Sequence, residues 1–231
     1  MSLLLCVKKL AARHCLSQYL YLGKRRDTWI ALPVLSKPSR SPVLDFIDQH
    51  RTAMYSAPLD GPSSRILESH RPLAYQLALH IVSGLAFVHS HNVIFGELDL
   101  TQCWLSFNLD LSLVGFTNAG FPDRSRGNRL VEGYHSTKHN FTPPRTLCGP
   151  TKQTELLWFG CIVFQLMTGA WLGDRLENRS GREVADVVVC REWLPLESKC
   201  MGEIVHKCWR AGCNSIEEVQ AAIITLFQDK G

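Results

Sequence analysis

A nearly unbroken apolar run at residues 156–172 limits the possible folds of this 231-residue chain more than any other segment. Only Gln165 and Thr168 are polar within it, and two glycines interrupt it. A run of this length fits either a short membrane span or a helix that is buried on all sides at the centre of a domain. Because no basic cluster flanks the run, we expect a buried central helix and no membrane association.

Composition supports a folded chain and narrows its partners. Apolar residues make up 45% of the sequence and charged residues 20%, and the net charge is +4. The basic residues are dispersed and are not interleaved with aromatic ones, so we expect no nucleic-acid partner. The N-terminal apolar stretch is too short for a signal peptide, and its charges follow it instead of preceding it. We therefore expect an intracellular, cytoplasmic protein.

The nine cysteines are an odd number, and no Cys-x-x-Cys pair occurs among them. In a cytoplasmic protein we expect reduced thiols, several of them buried as small apolar groups. The most zinc-like group fits no common ligand spacing and lies near the C-terminus: Cys200, His206, Cys208 and Cys213. We therefore expect no metal site.

The patterns of polarity predict an α+β fold that is mainly α. The apolar residues after Pro72 recur at helical spacing, and the chain closes with further helical segments. The predicted strands are 18–22, 28–34, 93–94, 103–106 and 111–114, with a turn at 23–27 between the first two. The predicted helices are 3–13, 43–51, the long helix from Pro72, 155–167, 181–190, 199–210 and 215–228. Residues 115–147 are predicted to be irregular.

Six segments stand in the order and spacing of protein kinase motifs. Residues 81–94 resemble the helix that leads into the catalytic loop, and FGELDLTQCWL at 95–105 stands where kinases have H-R-D-L-x-x-x-N and the strand after it. LVGFT at 113–117 falls at D-F-G, and PPR at 143–145 falls at A-P-E. TELLWFGCIVFQLMTG at 154–169 resembles the central helix, and IVHKCW at 204–209 resembles the Cys-Trp helix.

Together these segments make residues 16–228 resemble a eukaryotic protein kinase, most closely the short kinase-like proteins of filamentous fungi. The resemblance implies a remnant of the kinase N-lobe at 1–35, with an αC-like helix, two strands and the hinge. Residues 36–231 then correspond to the mainly helical C-lobe. In this alignment the glycine-rich loop and the strand that carries the ATP-binding lysine have no counterpart.

The resemblance also assigns the catalytic positions, and most are altered. Glu97 stands at the catalytic aspartate, and Gln102 stands at the asparagine that helps to hold magnesium. Gly115 replaces the D-F-G aspartate and offers no side-chain oxygen to a metal. Asp99 stands at the catalytic-loop lysine, where a negative charge opposes phosphate binding. Trp104 stands under the adenine position and either fills that space or packs as a core aromatic.

Other positions keep a structural role in the resemblance. Phe95 and Phe116 are expected to be buried and to stack in the hydrophobic column of the lobe, with helix 155–167 beneath them. Glu155 stands at the central-helix aspartate that binds the catalytic-loop backbone in kinases.

We therefore expect an inactive kinase-like protein, a pseudokinase, that needs no cofactor and acts through protein binding. The alternative is a divergent protein serine/threonine kinase that uses ATP and magnesium with Glu97 as catalytic base. A gene product without a selected role is the third possibility. The hairpin at 18–34 would have unpaired edges, which favours a protein partner or self-association. A helix at 3–12 covering that edge is the competing arrangement.

Overall fold

The computed structural model describes residues 19–25, 28–34, 40–57, 65–96, 98–116, 119–122, 129–130, 151–170 and 201–228. In the strands at 19–34, 121–122 and 129–130 it describes the backbone alone. The predicted helices at 3–13 and 181–190, the motif at 143–145 and the proposed lobe boundary near residue 35 lie outside these ranges.

Within these ranges the fold is mainly helical. The helices are α1 (Val43–Met54), α2 (Arg71–Ser90, preceded by a 3-10 turn at Glu68–His70), α3 (Lys152–Thr168), α4 (Gly202–Trp209) and α5 (Ile216–Gln228). Helix α2 packs against α5 and α3, and α3 packs against α4. Each of these helices was predicted from the sequence, with ends that differ by a few residues.

Helix α3 is the buried centre of the fold. Its side chains from Thr154 to Thr168 are buried except that of Trp158, which is half-buried. The prediction of a buried central helix is therefore confirmed for the described residues. The helix begins three residues earlier than predicted, because the Thr151 hydroxyl accepts a hydrogen bond from the Thr154 amide in a capping box. It ends at Gly169, whose φ of 70° is the left-handed conformation that glycine adopts readily.

Helix α2 is the other long apolar element. The segment Glu68–Ser90 is long and apolar enough to cross a membrane by length and composition, and half of that window is buried inside the protein. The buried half includes Leu77, Ile81 and Leu85, which lie on one face of the helix. This burial is what the core helix of a domain shows.

Small two-stranded antiparallel sheets complete the described fold. The hairpin of β1 (Tyr19–Arg25) and β2 (Thr28–Val34) pairs Arg25 with Thr28. The prediction that the turn spans 23–27 is wrong for residues 23–25, which belong to β1 and pair with β2. The other pairs are β3 (Cys103–Leu105) with β4 (Leu111–Leu113), and β5 (Phe121–Pro122) with β6 (Arg129–Leu130).

Two further strand predictions need correction. Residues 93–94 form no strand; Ile94 makes a single bridge with Gly120. Residues 115–147 are not wholly irregular, since β5 and β6 pair within them. Two-residue strands are too short to show an alternating pattern, so the sequence does not mark them. The architecture remains α+β and mainly α, as predicted.

Candidate functional site

The loop that follows α2 is tied to the central helix by one buried carboxylate. Glu155, in the first turn of α3, is completely buried. Its Oε1 accepts a hydrogen bond from the Gly96 amide at 2.7 Å, and its Oε2 lies 2.5 Å from His89 Nε2. The hydrogen bond that the resemblance assigned to Glu155 is therefore present. Gly96 has a φ of 99°, which suits glycine and turns the loop at this point.

His89 is a part of this anchor that the sequence reasoning missed. It is buried near the end of α2, and the Lys152 Nζ donates to its backbone carbonyl at 3.1 Å. A signal was present, since Ile81, Leu85 and His89 recur every four residues on the buried face. A polar side chain at the next position of an apolar face indicates a buried polar partner, because an unpaired one is costly.

Two aromatic rings join the loop to the segment after β4. The Phe95 and Phe116 ring centroids lie 4.9 Å apart in an edge-to-face arrangement. Phe95 is completely buried, whereas Phe116 is half-buried. The predicted ring contact is confirmed, and the prediction that both rings are buried holds only for Phe95. The contact holds the loop at 95–102 against the segment at 113–116.

Gln102 and Gly115 are brought together at the centre of this site. A Cβ placed on Gly115 would lie 1.6 Å from Gln102 Oε1 and 2.6 Å from its Cδ. Gly115 also has a φ of 83°, which disfavours any residue with a side chain. The backbones are joined as well, since the Val114 amide donates to the Gln102 carbonyl at 2.8 Å. The Gln102 carboxamide thus occupies the space into which a side chain at position 115 would extend.

Asp99 is turned towards its own loop. Its Oδ1 accepts hydrogen bonds from the Thr101 amide at 2.6 Å, from the Gln102 amide at 3.1 Å and from the Thr101 hydroxyl. This arrangement is an Asx turn that shapes residues 99–102. The carboxylate therefore has a structural role in the loop, which the sequence reasoning did not foresee.

Trp104 is half-buried in β3, between an extended segment and the loop. Its indole Nε1 donates to the Thr101 carbonyl at 3.0 Å, and its backbone bridges Pro42. Next to it, Cys103 is fully buried, and burial together with the nearby Asp99 charge raises the pKa of this thiol well above its ordinary value. A thiol that stays protonated is a poor nucleophile, so Cys103 packs as an apolar residue.

Glu97, the candidate catalytic base, lies outside the described residues. Of the other predicted site residues, the structure brings Gln102 to Gly115 and places Trp104 beside Thr101. Among the described parts of the chain, no group of three or more His, Cys, Asp or Glu side chains is arranged to hold a metal ion.

No protein-family model matches this chain. Curated proteins that it does match include the mitogen-activated protein kinase HOG1 of Debaryomyces hansenii, at 31% identity over 117 residues. The same kinase of Candida albicans and that of Scheffersomyces stipitis each match at 30% over 117 residues. The matched segment covers 48% of this chain and 29–30% of these relatives. The chain thus spans under a third of their length, and the similarity is that of a kinase-like protein over about half of the chain.

Proposed function

We propose that this protein is a kinase-like protein without phosphoryl-transfer activity, a pseudokinase, that acts by binding other proteins. The observation that carries the proposal is the arrangement of Gln102 and Gly115. In the kinase resemblance these two positions supply the amide and the carboxylate that hold magnesium on ATP. Here position 115 has no carboxylate, and the Gln102 carboxamide extends into the space that such a side chain would need.

The rest of the loop supports the same proposal. Asp99 puts a negative charge where the resemblance expects a lysine that steadies the γ-phosphate. Its hydrogen bonds to Thr101 and Gln102 are internal to the loop. Glu155 nevertheless keeps the loop attached to α3. These contacts support a kinase-like framework in which the groups that would face Mg-ATP are changed.

Protein binding is the proposed mode of action because several large apolar side chains are exposed. Phe107, at the tip of the β3–β4 hairpin, is 69% exposed, and Phe227 in α5 is 45% exposed. Contiguous exposed apolar side chains mark interfaces more often than isolated ones do, and Phe227 neighbours the exposed Ile224 one turn earlier in α5. Among the described residues β1 and β2 pair with each other alone, so the hairpin also offers backbone edges to another strand. We propose a protein partner or a second copy of this chain as the binding partner, in the cytoplasm.

A nucleotide titration tests the absence of kinase activity. A ligand at 100 times its dissociation constant stabilises a protein by about 2.7 kcal/mol. We expect the melting temperature in millimolar ATP to be the same with and without magnesium. A magnesium-dependent rise in melting temperature contradicts the proposal and favours the alternative kinase. In that case Glu97→Gln, which keeps the size of the side chain, would abolish phosphate transfer to a protein substrate while leaving nucleotide binding intact.

Light scattering tests self-association separately. We expect the purified chain at micromolar concentration to exceed the mass of a monomer, and Phe107→Ser or Phe227→Ser to shift it towards the monomer if that side chain lies in the contact. A single monomer peak, with little binding of a dye specific for exposed apolar surface, contradicts self-association and leaves a different protein as the proposed partner.

A further inference from the structure

Two cysteines meet where α4 ends and the chain turns towards α5. Cys208 lies in the last turn of α4, and Cys213 follows five residues later. Ala211 has a φ of 54°, and the Gly212 amide donates to the Lys207 carbonyl at 2.8 Å. This tight turn, of the type that closes many helices, brings the chain back on itself and places Cys213 beside Cys208.

The two thiols form a hydrogen-bonded pair in a largely buried position. Cys208 is 1% exposed and Cys213 is 3% exposed, and both are free. The hydrogen bond from Cys208 lowers the pKa of Cys213, and the nearby Lys207 charge acts in the same direction, against burial and Glu218. The same hydrogen bond, together with burial, raises the pKa of Cys208. The pair thus consists of one thiol that ionises more readily than its neighbour and one that stays protonated and donates.

The surroundings of the pair leave it near solvent on one side only. Arg210, Ala211, Gly212 and Asn214 are exposed, so the turn is at the surface. On the inner side lies a third cysteine, Cys161 of α3, which is fully buried. Burial raises the pKa of Cys161 to about 12, so this thiol stays protonated at neutral pH. Cys213 stands between the exposed residues Gly212 and Asn214, so of the three thiols it lies next to the surface of the turn.

We propose that Cys208 and Cys213 form a reversible intramolecular disulfide when the protein meets a hydroperoxide. This site is separate from the loop at 95–116 and does not depend on nucleotide binding. The disulfide would tie the end of α4 to the turn before α5. Trp209, between the two cysteines, packs on Gly160 of α3, since a Cβ at Gly160 would lie 2.9 Å from the indole Cδ1. The bond would therefore act on the packing of α4 against the central helix.

The chemistry balances with hydrogen peroxide as the oxidant. The Cys213 thiolate attacks one peroxide oxygen, the O–O bond breaks, and the departing hydroxide takes up the thiol proton to give water. Cys213 is then a sulfenic acid. The Cys208 sulfur attacks the Cys213 sulfur, the S–O bond breaks, and the hydroxyl leaves with the Cys208 proton as a second water. Two thiols and one peroxide thus give one disulfide and two waters, and a dithiol reductant reverses the change.

The sequence provides a direct assay, because trypsin cuts between the two cysteines. Cleavage after Lys207, Arg210 and Lys230 places Cys208 in the peptide 208–210 and Cys213 in the peptide 211–230. The folded protein is treated with hydrogen peroxide, its remaining thiols are blocked, and it is digested with trypsin. We expect mass spectrometry to detect these two peptides joined by a disulfide. The linked species should be absent before oxidation and should disappear after treatment with dithiothreitol.

Serine variants assign the roles of the two sulfurs. Cys208→Ser should abolish the linked species and leave a sulfenic acid at Cys213 that a dimedone reagent labels. Cys213→Ser should abolish the linkage and leave position 208 unlabelled. The matched control Cys161→Ser should form the linked peptides as the unchanged chain does.

Three results would overturn the proposal, and none depends on the variants folding. One is full alkylation of both cysteines in the peroxide-treated unchanged chain. Another is a sulfinic acid at Cys213 with no linked peptide. The third is a disulfide of either cysteine with a different partner in place of the 208–213 pair.

Discussion

The buried carboxylate of Glu155 makes a quantitative prediction about what holds the loop in place. Glu155→Ala removes the acceptor for the Gly96 amide and the partner of His89. Both groups lie against a fully buried position, so water does not readily replace the lost carboxylate. Leaving a buried hydrogen-bonding group without its partner costs about 1–3 kcal/mol, so the two groups together lose about 2–6 kcal/mol. We expect Glu155→Ala to lower the free energy of unfolding by that amount.

The matched variant Glu155→Gln keeps the volume of the side chain and most of its hydrogen-bonding capacity, and replaces only the carboxyl group. Its amide oxygen can still accept from the Gly96 amide, and its NH2 group can still contact the His89 ring. Since both contacts keep a partner but change in geometry, we expect a smaller loss of about 1–2 kcal/mol. The difference between the two variants measures what the hydrogen bonds and the buried volume of this side chain contribute together.

Urea denaturation followed by circular dichroism provides the free energies, and His89→Ala completes a double-mutant cycle with Glu155→Ala. We expect the two changes to be non-additive, with an interaction of about 0.5–3 kcal/mol, because the two side chains contact each other directly. A loss under 1 kcal/mol for Glu155→Ala, or additive effects of the two changes, would refute the reasoning.

The other predictions concern single positions. Gly115→Ala places a side chain at a φ of 83° and against Gln102, so the free energy of unfolding should fall by about 1–3 kcal/mol. Adding Gln102→Ala should restore part of this free energy, measured by urea denaturation. If no stability is recovered, the two side chains do not overlap as described. Phe116→Ala should cost about 3 kcal/mol, the lower end for a buried phenylalanine, because the ring is half-buried, and a measured loss under 1 kcal/mol would contradict its packing on Phe95. The backbone amide of Glu217 donates a hydrogen bond to the carboxylate of the same residue and lowers its pKa. The ionised carboxylate therefore stabilises the fold at pH values above the usual glutamate pKa, and this stabilisation is lost as the pH falls through the lowered pKa. Glu217→Gln should therefore be less stable than the unchanged chain at neutral pH and equal to it in acid, and a difference that persists in acid would contradict this.

The helices could be predicted from the sequence, because their signals are local. The apolar run at 156–172 predicted the central helix, and the spacing after Pro72 predicted α2 and its buried face. Helix periodicity is a property of neighbouring residues, so it can be read without knowing what packs against the face. The ends were less well predicted: the start of α3 depends on a single hydroxyl of Thr151.

The kinase resemblance also identified Glu155 as the loop anchor and Phe95 with Phe116 as a contacting pair, and the structure contains both interactions. Here the order of motifs along the chain carried information about distant contacts that periodicity does not contain. His89 shows the limit: its spacing marked it as buried, but nothing in the pattern named a partner 66 residues away.

The contacts that the altered loop residues make could not be predicted from the sequence and are set by the tertiary structure. The sequence showed that Gly115 lacks a carboxylate, but the overlap with Gln102 depends on where β3 and the segment after β4 lie relative to each other. In the same way, Asp99 was read as a charge facing a ligand, whereas its carboxylate accepts hydrogen bonds within its own loop. A side chain's partner is set by the backbone around it in space, and for loop residues that arrangement is determined by packing between segments far apart in the chain.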